Sequence, residues 1–230
     1  MARKRNHSSI THRVFKFWLP LAALLFGIAY YSQLSYNPAK EAKAGLARLN
    51  LWRKQAGLQE LRPSPELQKA AQSHAAYLGK DAHGHGHDEI NRSNPHYTGA
   101  DPQARATAAG YPAPVVENLT AGNFARSGVR STDSLMTALY HRLGLLTPEH
   151  DEAGVAWVRS RNAAFVVVQG SSQDRELCEQ AGSHAAKRYV LTMACNGKPV
   201  EIPLDVPPYR HTDAVKFPIG NNIDPSYDGK

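Results

Sequence analysis

The chain is short of most features that announce a known chemistry. It holds two cysteines in 230 residues, too few for a disulfide-knit miniprotein or for a zinc site built from thiolates alone. No serine sits in a nucleophile elbow, no glycine-rich phosphate loop occurs and no HExxH pair is present, which removes the motif-borne hydrolases, nucleotide enzymes and zincins. Neither cysteine has a histidine beside it in the manner of a thiol protease. With 42% hydrophobic and 20% charged residues, the balance is that of a globular domain, not of a polytopic membrane protein or a disordered tail. Acid is missing from the first forty residues, where Arg3, Lys4, Arg5, Arg13, Lys16 and Lys40 stand unopposed. Beyond them 27 − 6 = 21 basic residues face 20 acidic ones. The net charge of +7 therefore belongs almost entirely to an N-terminal arm, and no nucleic-acid partner is expected.

Residues 1–16 form that basic arm, and residues 17–36 form the segment that follows it. Phe17 to Tyr31 carries no charge, and a basic flank before an apolar run fits either a secretory signal or a short signal-anchor. A membrane span needs about 17–25 apolar residues, so this run must borrow Ser32 to Tyr36 at the interface. The one small-x-small cleavage site near its end is Gly27-Ile28-Ala29. We read an uncleaved single-pass anchor, with cleavage to a secreted or periplasmic form as the alternative and a buried core helix as a third reading. Both membrane-targeted readings put the body outside the cytoplasm. An exported body meets an oxidising compartment, so Cys178 and Cys195 are expected to pair in a disulfide worth about 3 kcal/mol. Two unpaired buried thiols are the alternative.

The rest is long enough for one domain with its own core. A helix is expected over Glu41 to Gln55, with Leu46, Leu49 and Trp52 on one stripe and Gly57 as its stop. A second starts at Ser64 as N-cap with Pro65 behind it, and its stripe is Leu67, Ala70, Ala71, His74, Ala75 and Leu78. A third is capped by Asp101, opened by Pro102 and closed by Gly110. A fourth begins near Thr132 and carries Leu135, Met136, Leu139, Tyr140 and Leu143. Strands are expected at Val115 to Leu119, Ala153 to Ser160 and Ala163 to Gln169. Helices first and strands later give an α+β class. The region after Asp174, broken by Pro199, Pro203, Pro207 and Pro208, reads as an extension wrapped on the domain. It contains one strand candidate around Tyr189 to Ala194 and frays toward Lys230.

Histidine is the informative residue. His83, His85 and His87 alternate with glycine before Asp88 and Glu89; on an extended chain their imidazoles share one face and either converge on a divalent ion or lie on a solvated loop. His74, inside an alanine-rich stripe, reads as a core histidine with one satisfied nitrogen. Glu117, at the end of a short apolar strand, needs donors or a cation if it is buried. On an unbroken helix from Leu135, His141 points away from the apolar stripe, toward solvent or a cleft beyond the helix end.

Taken in order, several fragments resemble a known family. They are Leu49-Asn50-x-x-Arg53-x-x-x-Gly57-Leu58, Leu67-x-x-Ala70-Ala71-x-x-His74-Ala75-x-Tyr77-Leu78, His87-x-Glu89, Tyr97-Thr98-Gly99 with Arg105, Ala109-Gly110-Tyr111, Glu117-Asn118-Leu119-x-x-Gly122, and His141-Arg142-x-x-Leu145-Leu146-x-Pro148-x-x-x-Glu152-x-Gly154-Val155. The chain resembles the CAP superfamily (cysteine-rich secretory, antigen 5, pathogenesis-related 1), in its bacterial SCP-domain branch. The resemblance implies an α-β-α sandwich over residues 41–172, with residues 173–230 as a C-terminal extension. It also implies a cleft lined by two histidines and acids that sometimes holds a divalent metal such as zinc. Carried over by position, the cleft residues are His87, Glu117 and His141, with His96 as a rival for the first, Asp133 as the nearest second acid, and Glu152 fixing a strand start. Val116 and Tyr140 stand where the family usually has glycine. The metal ligands implied are His87, His141 and Glu117. The reading that results is a non-enzymatic cell-envelope binding module for a cell-wall fragment, lipid or envelope protein. The alternatives are a metal-dependent hydrolase of peptide or peptidoglycan, in which Glu117 or Asp88 serves a bound metal, and a structural or stress-related surface protein.

Overall fold

The computed structural model describes residues 16, 18–28, 37–80, 86–181 and 189–204, which fall in two units, Met1–Asn37 and Pro38–Lys230. In the first unit residues 18–28 are helical. Among the described residues no helix is long and apolar enough to cross a membrane. The expected spanning segment is described only in part: Phe17 and residues 29–36 lie outside the described residues.

The second unit runs α1 (Pro38–Gln55), β1 (Arg62–Pro63), α2 (Pro65–Lys80), α3 (Pro102–Ala109), β2 (Val115–Ala121), α4 (Gly128–Thr137), α5 (Leu139–Leu145), β3 (Glu152–Arg159), β4 (Ala163–Gly170), α6 (Ser172–Glu179), β5 (Tyr189–Cys195) and β6 (Lys198–Leu204). The expected caps are in place. Ser64 Oγ accepts from Leu67 N–H, Asp101 accepts from Ala104 N–H, and Gly110 closes α3 at φ 102°, each satisfying helix-end groups that burial would otherwise orphan. Arg53, buried in α1, donates to the carbonyls of Gln59, Leu145, Thr147 and His150. It thereby ties α1 to the chain that leads from α5 into β3, and its burial lowers its pKa to about 10.

Four strands form a sheet in the order β1-β3-β4-β2, with β1 parallel to β3 and the others antiparallel. Helices α2 and α3 cover one face and α1, α4 and α5 the other, so the unit is the expected α-β-α sandwich. On the first face Leu67, Ala71, Ala75 and Leu78 of α2 pack on Ala156, Val166 and Val168. Small residues set the spacing, because a Cβ at Gly154 would run into the Leu67 backbone.

Two expectations need correction. The fourth helix is not continuous: Ala138 adopts ψ 126° and separates α4 from α5. As a result Leu139, Tyr140 and Leu143 are exposed and do not continue the core stripe of Leu135 and Met136. The C-terminal extension is also more ordered than its prolines suggest. It begins with helix α6, capped by Ser171, and continues as a β5-β6 hairpin turned at Asn196-Gly197, both at positive φ. A two-stranded ribbon consists only of edges, so Pro199 and Pro203 fit without breaking a central ladder. Cys195 and Ile202 join the core cluster; residues 205–230, expected to fray toward Lys230, lie outside the described residues.

The expected disulfide joins Cys178 of α6 to Cys195 of β5, with a Cα–Cα distance of 5.4 Å. Replacing both cysteines by serine should lower unfolding free energy by about 3 kcal/mol. That loss is read as a lower urea midpoint in non-reducing buffer, with the native chain falling to the same midpoint once reduced.

Candidate functional site

The site is built on two neighbouring residues of β2. Successive side chains of a strand point to opposite faces, so Glu117 enters the layer of α2 and α3 while Asn118 faces α5. Each holds one histidine: His87 Nδ1 lies 2.9 Å from Glu117 Oε1, and His141 Nδ1 lies 3.0 Å from Asn118 Oδ1.

Around Glu117 the chain assembles buried charge of both signs. The Glu117 side chain is 1% exposed, and Arg105 Nη2 donates to both its oxygens at 2.9 Å. Arg105 is delivered by the first turns of α3, the helix that Asp101 and Pro102 start, and it also donates to His87 C=O at 2.7 Å. Next to it Glu89 accepts from Thr98 N–H and faces His74 Nδ1 at 2.9 Å. His74 Nε2 points at Gly86 C=O at 3.1 Å, with Glu117 Oε1 at 3.6 Å. Both nitrogens of His74 thus face oxygen atoms. With Arg105 beside both carboxylates, the buried acids Glu89 and Glu117 lie against basic partners, the condition for keeping such groups dry.

Burial alone would push the Glu117 carboxyl up. The His87 hydrogen bond, the His74 charge and Arg105 outweigh it and hold the carboxyl below its ordinary value. His141 is lowered instead, first by its own burial and then by the charge of His87, so its ring is neutral at neutral pH and His87 lies within its electrostatic reach. The α5 helix approaches β2 this closely because residue 144 is glycine: a Cβ there would stand 2.9 Å from Asn118 Nδ2 and 3.1 Å from Val116 Cγ1.

The structure therefore gathers His87, Glu117 and His141 about β2, and it separates Asp133 from them. Asp133 accepts from Arg48 at 2.6 Å and from Trp52 Nε1 at 2.8 Å, between α1 and α4. The second acid beside Glu117 is Glu89. His96 only positions a turn, its N–H donating to Asn94; Asp88 is exposed; His83 and His85 lie outside the described residues. Glu152 does mark a strand start, accepting from Arg175 and Tyr111. Sequence reasoning assigned no role to Arg105 or Asn118, and it gave His74 one partner where it has two. The signal available for Arg105 was its place in a well-capped helix rich in small residues, where a lone arginine must find an anion.

Among the described residues no group of three or more His, Cys, Asp and Glu side chains is arranged to hold a metal ion. Both Glu117 oxygens accept hydrogen bonds, Oε1 from His87 and Arg105 and Oε2 from Arg105. What remains is a pair of imidazoles, each keyed through Nδ1, with no partner for either Nε2 among the described residues. A separate hollow of about 280 Å³, lined by Gln59, Pro148, Glu149, Asp151 and Ser171 to Gln173, shares none of these groups.

Because Glu117 titrates below its ordinary value of 4.5 when folded, it contributes stability above that pH and loses it as pH falls through the lower folded value. Glu117→Gln should therefore be less stable than the native chain at pH 7 and show a flatter loss of stability below about pH 4.5, measured by urea titration across pH.

The cysteine-rich secretory protein family model, CAP, matches residues 46–170. A solved outer surface protein from Borrelia burgdorferi is similar in fold: 19% identity and TM-score 0.51, covering 59% of this chain and 96% of that one. An extracellular protein containing an SCP domain from Bacillus anthracis is 18% identical at TM-score 0.49, with 59% of this chain and 41% of that chain covered. A cysteine-rich secretory protein from Staphylococcus aureus is 17% identical at TM-score 0.42, with 59% and 40% covered. No curated protein matches the chain. With the family model spanning more than half of its length, and the sandwich and histidine-flanked strand in place, the chain belongs to the cysteine-rich secretory protein (CAP) family.

Proposed function

We propose that this CAP domain is a non-enzymatic binding module of the cell envelope, taking its ligand at the histidine pair that flanks β2. The observation that carries this reading is the locking of Glu117. Its two oxygens are held by Arg105 and His87, and its carboxyl lies below its usual range. A general base works best with a pKa near the operating pH and a free oxygen within reach of the proton it takes. Glu117 has its carboxyl lowered and both oxygens hydrogen-bonded, which suits a positioning role in a binding site better than proton abstraction.

His87 and His141 do suit a soft or borderline divalent ion. A metal-bound histidine usually donates its other N–H to a carboxylate or carbonyl oxygen, and Glu117 and Asn118 already occupy those places. Such a metal, zinc being the best match to neutral imidazole, would give the module a point of attachment for a carboxylate or amide of its ligand. The partner class is a cell-wall fragment, lipid or envelope protein. A placement outside the cytoplasm is supported by the basic arm before an apolar run, by the Cys178–Cys195 bond, and by the outer-surface description of the similar Borrelia protein.

Zinc titration of the full chain by calorimetry tests the histidine pair. Micromolar-range binding is expected in the native chain and none in a His87→Ala/His141→Ala double variant. Glu117→Gln should weaken the affinity by about 10- to 100-fold. Unchanged affinity in the double variant would remove the pair from the reading.

A further inference from the structure

The same strand carries a second recognition element, made of main chain. Across the β3-β4 turn Ser160 N–H donates to Asn162 C=O. Alternate residues of an antiparallel strand bond to opposite neighbours. Counting from Asn162 along β4, every second residue bonds to β3, which leaves Phe165, Val167 and Gln169 to bond β2. Their partners are Thr120, Asn118 and Val116. The N–H and C=O groups of Val115, Glu117, Leu119 and Ala121 therefore point away from the sheet. Among the described residues nothing pairs with those of Glu117 and Leu119.

Two further observations show that this row is open and suited to an amide. Glu117 is only half-buried as a residue although its side chain is buried, so its exposed part is its main chain. One step earlier, the Gln103 carboxamide sits on the row, donating to Ala113 C=O at 3.1 Å and accepting from Val115 N–H at 3.2 Å. An intramolecular amide already takes the first rung in the place of a neighbouring strand.

We infer that β2 binds an extended peptide by strand addition, the incoming backbone pairing with Val115 C=O, with both groups of Glu117 and Leu119, and with Ala121 N–H. Affinity would come from the main chain and selectivity from alternate side chains, which fall on the His87 side and the His141 side of the sheet in turn. Uncharged and β-branched residues suit such a partner because they favour extended backbone. The Glu117 charge does not repel such a strand because Arg105 and His74 neutralise it. The inference rests on main-chain polarity and needs no metal, so it goes beyond the histidine-pair reading and stands without it.

Hydrogen exchange of the full chain, in buffer containing EDTA, tests the inference with an acetylated and amidated octapeptide of alternating threonine and valine as probe. At saturating peptide the amides of Glu117 and Leu119 should exchange about tenfold more slowly, as expected for newly bonded edge groups. Those of Asn118 and Thr120, already bonded to β4, should not change. The same peptide N-methylated at every second residue should protect nothing. Leu119→Pro removes the outward N–H, which an edge strand tolerates, together with the Leu119 side chain that packs on the core; Leu119→Ala makes the same side-chain loss without removing the donor. Leu119→Pro should bind at least about three- to tenfold more weakly, while Leu119→Ala, which keeps the donor, should bind nearly as the native chain does. Absence of protection, equal protection by the N-methylated peptide, or equal losses in the two Leu119 variants would overturn the inference. Slow exchange of Glu117 and Leu119 before any peptide is added would also overturn it, by assigning the edge to another segment of this chain or to a second copy. EDTA separates the two readings: loss of zinc binding in the histidine variants leaves this result unaffected.

Discussion

A carboxylate buried at a sheet edge has to be neutralised, and much of this domain is arranged around that requirement. Glu117 is drawn into the layer of α2 and α3 because its neighbours on the same face, Val115 and Leu119, pack on the hydrophobic core. Once there it needs cations, and Arg105 and His74 supply them. Arg105 then needs a helix that starts at the right place, which Asp101 and Pro102 provide. His74 in turn needs Glu89, and Glu89 is fixed by Thr98. Removing one member would leave a buried charge unpaired, which typically costs about 3–5 kcal/mol, so the four positions constrain one another.

The pleat of β2 turns this electrostatic requirement into a site. Because adjacent side chains leave a strand in opposite directions, Glu117 and Asn118 orient imidazoles contributed by two different layers of the sandwich. One ring comes from the segment before α3 and the other from the short helix α5. The two meet only at β2, which lies at the sheet margin and has no outer neighbour among the described residues. The exposed row of peptide groups on β2 follows from the same position. A strand in the middle of the sheet would have neither the two flanking rings nor the open backbone.

The break at Ala138 shows how a local backbone choice redirects function. A helix continuous through residue 138 would aim Leu139, Tyr140 and Leu143 at the core and carry His141 away from β2. With Ala138 extended, α5 restarts in a new direction, and the glycine at 144 lets it lie against Asn118 and Val116. Periodicity could not show this, because the apolar spacing from Leu135 to Leu143 stays helical across the break. The C-terminal hairpin was obscured for a different reason. Its prolines read as strand breakers, whereas the structure turns the chain at Asn196-Gly197 and pairs two edges.

Reading along the chain was enough to place the capped starts of α2 and α3, the apolar face of α2, the three main strands and the family, and to expect the two cysteines to pair. Each of these depends on neighbours within a few residues of one another or on fragments in a fixed order. Capping chemistry, alternation and helical spacing are local physics and are legible in the order of residues. Packing in three dimensions settled the rest: which acid stands beside Glu117, that Asp133 serves a helix contact, that both nitrogens of His74 are engaged, and that Glu117 is held by both Arg105 and His87. Those outcomes depend on charges brought together across the fold from positions 74, 89, 105 and 117. Whether a carboxylate is a free ligand or a locked one depends on burial and on which donors reach it, and neither is encoded in local spacing.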